Sequence, residues 1–249
     1  YIDSLDGISA RTKESYQQKF NYLKGNFNRS VASYTNTKIK RLLTKIKHEN
    51  DLSNRSMNHI FKIMKRIFRQ ASLDFGINDP SGTFYVTTSY KVNKKKKGAL
   101  TNEEQTSFIK YLSDRQDNKL FSKQEYVFGL LALSTGLRRG ELAGLEWKHI
   151  DFDNKTLHVT QSVSYANRTE TVGNPKTEAG IRSIQIDDYL LAELRKYKTF
   201  LKDFFMVSEF ELNNWLFPKL DGETRTPITS WCQRMAKVFK ALDIKHSLH

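Results

Sequence analysis

The residues best suited to chemistry in this sequence are Arg138-Arg139-Gly140-Glu141. They follow Tyr126 to Leu137 (YVFGLLALSTGL), which is apolar almost all round as a buried helix would be, and they open a second helical pattern. A guanidinium at such a junction needs a partner, because an unpaired buried charge is costly. Two readings stand at this point. Arg138 is either a structural arginine held by Glu141, or an anion-binding group at a helix N-terminus, where backbone N–H groups add to its attraction. A second set of candidates is purely basic. Arg55, Lys62, Lys65, Arg66 and Arg69 share one face of a helical pattern with no acid among them. A helix that merely stays in solution usually interleaves signs, so this face suits contact with phosphates; the plainer reading is a solvated helix surface. Cys232 is the only cysteine, which leaves no disulfide framework and no cysteine metal site.

The elements that must position these groups fall into two segments. In the first, Tyr16, Phe20, Leu23 and Phe27 recur at helical spacing after Ser9, a candidate N-cap. A second helix carries Ile39, Leu42, Leu43 and Ile46 on one stripe. A third, after Ser53, places Met57, Ile60, Phe61, Met64, Ile67, Phe68 and Ala71 opposite the basic face. From Asp79-Pro80 to Gly98 the pattern breaks into a linker that ends in Lys94, Lys95, Lys96 and Lys97, either a solvated tether or one that crosses a DNA backbone. The second segment opens at Thr101, with Glu104 three residues on as in a capping box. Strand-like alternation follows in Leu157, Val159 and Val163, after Asp/Asn turn chemistry at 151–154. Residues 168–176 and 181–186 read as two arms of a hairpin turning at 177–180, and Asp188 to Leu201 and Thr229 to Leu242 read as helices. No internal repeat is present. Trp147, Leu142 and Leu145 read as core.

The net charge of +14 is unevenly spread. Residues 1–98 carry 20 Lys/Arg against 7 Asp/Glu, whereas 99–249 carry 21 against 20. A polyanionic partner such as a nucleic acid is the natural reading, although a ribosome or a membrane surface fits the charge equally well. No run of 18 apolar residues exists, which excludes a membrane-spanning helix. The sequence begins at Tyr1, without Met or a signal-peptide pattern, and is read as a fragment of a cytoplasmic protein.

The string STGLRRGELAGLEWKHIDF, residues 134–152, closely resembles the first arginine box of the tyrosine recombinases, the integrases of phages and other mobile genetic elements. PKTEAGIRSIQI, residues 175–186, resembles the lysine-bearing β-hairpin of that family, and Ser247-Leu248-His249 the opening of its His-x-x-Arg box. The order and spacing are those of the family, and the basic helical segment upstream resembles its core-binding domain. The chain departs from the pattern at His149, where Asp is frequent, at Gln185, where Pro is common, and in stopping at His249. His246 offers a shifted reading of the last box, but it would put histidine in place of the second arginine.

The resemblance implies a mainly α fold with a small β-sheet. A helical core-type DNA-binding domain would span 1–88, a basic linker 89–98, and an α+β catalytic domain, incomplete at its C-terminus, 99–249. It further implies site-specific DNA breakage and rejoining through a 3′-phosphotyrosine, with Arg138 on a phosphate oxygen, Glu141 orienting it, Lys176 protonating the leaving oxygen, and His249 assisting. No cofactor or metal is called for, and the partners would be double-stranded DNA and other copies of the chain, as a tetramer on DNA. The nucleophilic tyrosine would lie beyond His249, and none of the tyrosines present, Tyr189 and Tyr197 included, stands in its position. The chain alone is therefore expected to bind DNA without cutting it. The rivals are a type IB topoisomerase and a DNA-binding regulator that has lost catalysis on the same fold.

Overall fold

The computed structural model describes residues 7–26, 30–82, 99–175, 178–208 and 214–245. The chain divides into two compact units, Tyr1–Lys96 and Lys97–His249.

The first unit is helical: α1 (Ala10–Lys24), α2 (Asn36–Glu49) and α3 (Asn54–Phe75). Each helix starts where a hydroxyl can take an otherwise orphaned amide. Ser9 accepts from the amide of Thr12 at 3.3 Å, Thr35 from Lys38 at 3.4 Å, and Ser53 from Ser56 at 3.2 Å. α3 stops at Gly76, whose φ of 64° is left-handed and costs glycine nothing. Met57, Ile60, Phe61, Met64 and Phe68 are buried as their spacing predicts, with Leu23, Ile39, Leu43 and Ile46 from the other helices. Ile67 and Ala71 are only half-buried, and Ile63 is buried instead. α3 packs against both α1 and α2, so its apolar stripe is broader than a single seam.

The second unit comprises α4 (Asn102–Asp114), α5 (Leu120–Thr135), α6 (Arg139–Ala143), β1 (Ile150–Asp151), β2 (Thr156–Val159), β3 (Ser162–Ala166), β4 (Thr169–Gly173), β5 (Arg182–Gln185), α7 (Asp188–Phe205) and α8 (Ile228–Ala241). The expected capping box forms: Thr101 accepts from the Glu104 amide at 3.2 Å, and Glu104 accepts from the Thr101 amide at 2.8 Å. α5 is the hub of the core. Its Phe128 stacks on Trp231 of α8 at 4.2 Å between ring centroids, and Phe217 meets the same indole at 5.1 Å. α4 lies so close to α5 that a Cβ on Gly129 would fall 2.5 Å from Leu112. Trp147, Leu142 and Leu145 are core, as read. No helix among the described residues is long and apolar enough to cross a membrane.

The sheets correct one expectation. Among the described residues, 168–175 and 181–186 do not pair with each other. β4 pairs with β3 through a two-residue turn at Asn167-Arg168, whose φ values of 50° and 61° are those of a hairpin turn. β5 instead joins β1 and β2 in a three-stranded antiparallel sheet, with Ile184 opposite Leu157 and Arg182 opposite Val159. The reason is burial. β4 is exposed along nearly its whole length, whereas β2 presents the buried Leu157 and Val159 to a neighbour. The glycine that suggested a turn at 177–180 serves another purpose. Gly180 ends a 3₁₀ turn, and a Cβ there would lie 2.5 Å from that of Pro175, so it permits close approach.

Candidate active site

α5 ends on Gly136, left-handed at φ 61°, and the buried Leu137 anchors the chain as it turns. Arg138 follows in extended conformation as the cap of α6. Gly140, on the first turn of α6, faces β3 so closely that a Cβ would stand 2.5 Å from the Val163 carbonyl oxygen. These two glycines let a short helix bring Glu141 inward and leave Arg138 outside.

Glu141 is the centre of the arrangement. Its side chain is 2% exposed, against 73% for Arg138 and 30% for Arg182. Its Oε2 accepts the backbone N–H of Arg138 at 2.9 Å and Nη2 of Arg182 at 2.9 Å. Its Oε1 accepts Nη1 of Arg138 at 2.8 Å and Nη1 of Arg182 at 3.2 Å. Arg182 Nη1 also donates to the Gly180 carbonyl at 3.2 Å. Burial pushes the Glu141 carboxyl upward, but the hydrogen bonds from Arg182 and from Arg138 outweigh it and hold the group below the ordinary carboxylate range. The same bond raises the Arg182 guanidinium further above its ordinary value. The carboxylate is therefore fully ionised and shared between two cations, with the outer one facing solvent. Such an outer guanidinium can take an oxyanion.

The neighbours of the site are structural. Arg139 reaches Cys232 of α8, Nη1 to Sγ 3.4 Å, and ties α6 to that helix. His149 is buried: its Nδ1 accepts the Glu146 amide at 3.0 Å, which leaves Nε2–H to donate to Thr160 at 3.0 Å. Burial pushes its pKa down and keeps the ring neutral. Tyr197 is buried, with its hydroxyl donated to the Leu216 carbonyl at 2.9 Å, and Tyr189 shares a hydrogen bond of 2.9 Å with Tyr126.

Of the residues singled out from sequence, the structure thus brings Arg138 and Glu141 together. Lys176, His249 and Lys94 to Lys97 lie outside the described residues. In the first unit, Arg55, Lys62, Arg66 and Arg69 are exposed and Lys65 is half-buried along α3. Arg66 is not simply solvated: its Nη1 donates to the Tyr16 hydroxyl at 2.6 Å and its guanidinium lies 5.2 Å from that ring's centroid. His59, on the same helix, has its pKa depressed by burial and then by the fields of Lys62, Arg55 and Lys19, which reports a positive potential there. Sequence reasoning missed Arg182. The available signal was arithmetic of charge: a buried glutamate beside an exposed arginine leaves room for a second cation, and Arg182 is the arginine of the strand that follows Gly180.

Comparison with known proteins matches the second segment of the chain to a family. The model of the phage integrase family covers residues 98–245. The chain belongs to the phage integrase family. Among curated relatives of this family member, the ICEBs1 integrase of Bacillus subtilis (strain 168) is 28% identical over 233 residues, which are 88% of this chain and 59% of that protein. The XerC-like tyrosine recombinase of Caldanaerobacter subterraneus subsp. tengcongensis (strain DSM 15242 / JCM 11007 / NBRC 100824 / MB4) is 37% identical over 78 residues, 28% of this chain and 20% of that one. The chain thus spans about three-fifths of the Bacillus relative's length. Its fold is similar to that of the Tn1549 transposon integrase bound to transposon right end DNA, with a TM-score of 0.78 at 21% identity over 97% of this chain and 76% of that one. It is also similar to a lambda integrase tetramer bound to a Holliday junction, with a TM-score of 0.64 at 16% identity over 98% and 63% of the respective chains.

The ionised state of Glu141 has a consequence for stability. A carboxyl whose folded pKa is lowered contributes stability that is complete above its ordinary value of 4.5 and is lost as the pH falls through the lowered one. The advantage of the wild type over Glu141→Gln in urea midpoint should be widest near neutral pH and narrow below pH 4.5. A difference that does not change with pH would contradict the shared ion pair.

Proposed function

We propose that this chain is the DNA-binding and catalytic portion of a site-specific recombinase of a mobile genetic element, which cuts and rejoins DNA through a 3′-phosphotyrosine. The observation that carries this reading is the exposed Arg138 guanidinium held by the buried Glu141, inside the segment that matches the phage integrase family. Residues 1–88 act as a core-type DNA-binding domain, 89–98 as a basic linker and 99–249 as the catalytic domain. The first carries the phosphate-contacting cations Arg55, Lys62, Lys65, Arg66 and Arg69, and the linker adds Lys94 to Lys97. The partner is double-stranded DNA, engaged by several copies of the chain, in the cytoplasm of a bacterium or phage-infected cell. The relatives support this: Tn1549 integrase was solved on transposon end DNA and lambda integrase as a tetramer on a Holliday junction.

The chemistry follows from charge. A tyrosine oxygen attacks the scissile phosphorus, an oxygen–phosphorus bond forms as the bond to the 5′ oxygen breaks, and one phosphodiester replaces another. Bond energy is retained, so rejoining is the reverse step and no nucleotide cofactor is required. Negative charge grows on the non-bridging oxygens. Arg138, planar and permanently charged, holds one of them. Lys176 gives its proton to the departing 5′ oxygen, and His249 assists proton transfer or binds phosphate.

Two measurements test this. The full-length protein, incubated with a nicked duplex of its own site, should form a covalent protein–DNA adduct that survives SDS, and Arg138→Ala should reduce its rate by about 10²–10³-fold with little loss of DNA affinity. An undiminished rate would remove Arg138 from the chemistry. Affinity for duplex DNA should fall with salt at a log–log slope of roughly −0.9 per phosphate contact. Replacing Arg55, Lys62 and Arg69 by alanine should flatten that slope by about one for each residue; an unchanged slope would return α3 to an ordinary solvated surface.

A further inference from the structure

We infer that Arg182 is a positioning residue of the active site, the counter-charge that occupies Glu141 and leaves Arg138 a full cation for the phosphate. The inference rests on the phosphate role proposed for Arg138. An arginine paired one-to-one with a carboxylate forms a neutral couple, and an approaching phosphate would meet the repulsion of the carboxylate as well as the pull of the guanidinium. Here one carboxylate is shared by two guanidiniums, so the cluster keeps a net positive charge. The sharing is unequal. Arg182 grips both oxygens with two nitrogens, at 3.2 and 2.9 Å, whereas Arg138 offers the carboxylate a single side-chain nitrogen at 2.8 Å. With the Arg138 backbone N–H as the fourth donor, each oxygen of Glu141 accepts twice, which fills the acceptor sites of a carboxylate. No lone pair is left to turn toward an incoming anion.

Without Arg182 the two vacated acceptor sites would draw in a second side-chain nitrogen of Arg138, whose Nη1 is already on Glu141. The guanidinium would then lie fork-to-fork on Glu141, the preferred geometry of an isolated arginine–carboxylate pair, and away from the phosphate. Arg182 has a second link to the site. Its Nη1 holds the Gly180 carbonyl at 3.2 Å, and Gly180 approaches Pro175 more closely than any side chain would allow. Pro175 directly precedes Lys176. Lysine could not replace Arg182 fully, because an ammonium on a flexible stem does not present the planar fork that spans both oxygens.

The test uses the full-length protein carrying Arg182→Met, Arg182→Lys or Arg138→Ala. Single-turnover cleavage and DNA affinity are measured on duplexes with either a normal scissile phosphate or a neutral methylphosphonate at that position. Arg182→Met should cut the phosphate up to about 100-fold more slowly while binding DNA as the wild type does. Its deficit should shrink on the methylphosphonate, where no anion remains for Arg138 to hold. Arg182→Lys, which keeps the charge and the fold, should fall between the two. Wild-type cleavage by Arg182→Met, or for both Arg182 variants a deficit equal on the two substrates, would overturn the inference. If Arg138→Ala itself gains no relief on the methylphosphonate, the phosphate role of Arg138 fails, and with it the reading on which this inference rests.

Discussion

A buried carboxylate must be paired, and the second unit is organised around meeting that requirement for Glu141. A buried carboxylate left without a partner is costly, so the chain is under strong constraint to keep cations beside it. The two that serve come from distant parts of the sequence, Arg138 from the start of α6 and Arg182 from β5. Their convergence ties the helical core to the sheet at one point. It also fixes which cation faces inward and which faces solvent.

The surrounding elements can be understood as what makes this convergence possible. The aromatic stack of Phe128, Trp231 and Phe217 holds α5 against α8. Gly136 ends α5 at the required place, and Gly140 lets α6 approach β3. β5 must then run beside β2 for Arg182 to reach Glu141, and the buried Leu157 and Val159 supply the reason that it does. The excess positive charge of the chain is concentrated in residues 1–98, and α3 is free of acids from Arg55 to Arg69. In the function proposed here, broad attraction for a polyanion and local handling of one phosphate fall to separate units.

Much of this was legible in the sequence where the deciding interactions are local. Ser9 and Thr101 cap helices because a hydroxyl three residues from an orphaned amide needs nothing else from the fold. The stripe of α3 was readable because one face repeats at helical spacing, though not its full width, which depends on two neighbours at once. The pairing of Arg138 with Glu141 was visible at three residues' separation. The pairing of β5 was not, because strand partners are chosen by the burial of residues far along the chain. Arg182 was missed for the same reason: it lies 41 residues from the carboxylate it serves.

The central claim is that Arg138 meets the scissile phosphate while Glu141 remains held by Arg182. The most direct measurement is a structure of the full-length protein on a duplex of its own recombination site. The account predicts an Arg138 nitrogen within about 3 Å of a non-bridging oxygen of that phosphate, with both oxygens of Glu141 still gripped by Arg182. A scissile phosphate seated away from Arg138, or Arg138 folded fork-to-fork onto Glu141 with no contact to DNA, would contradict it.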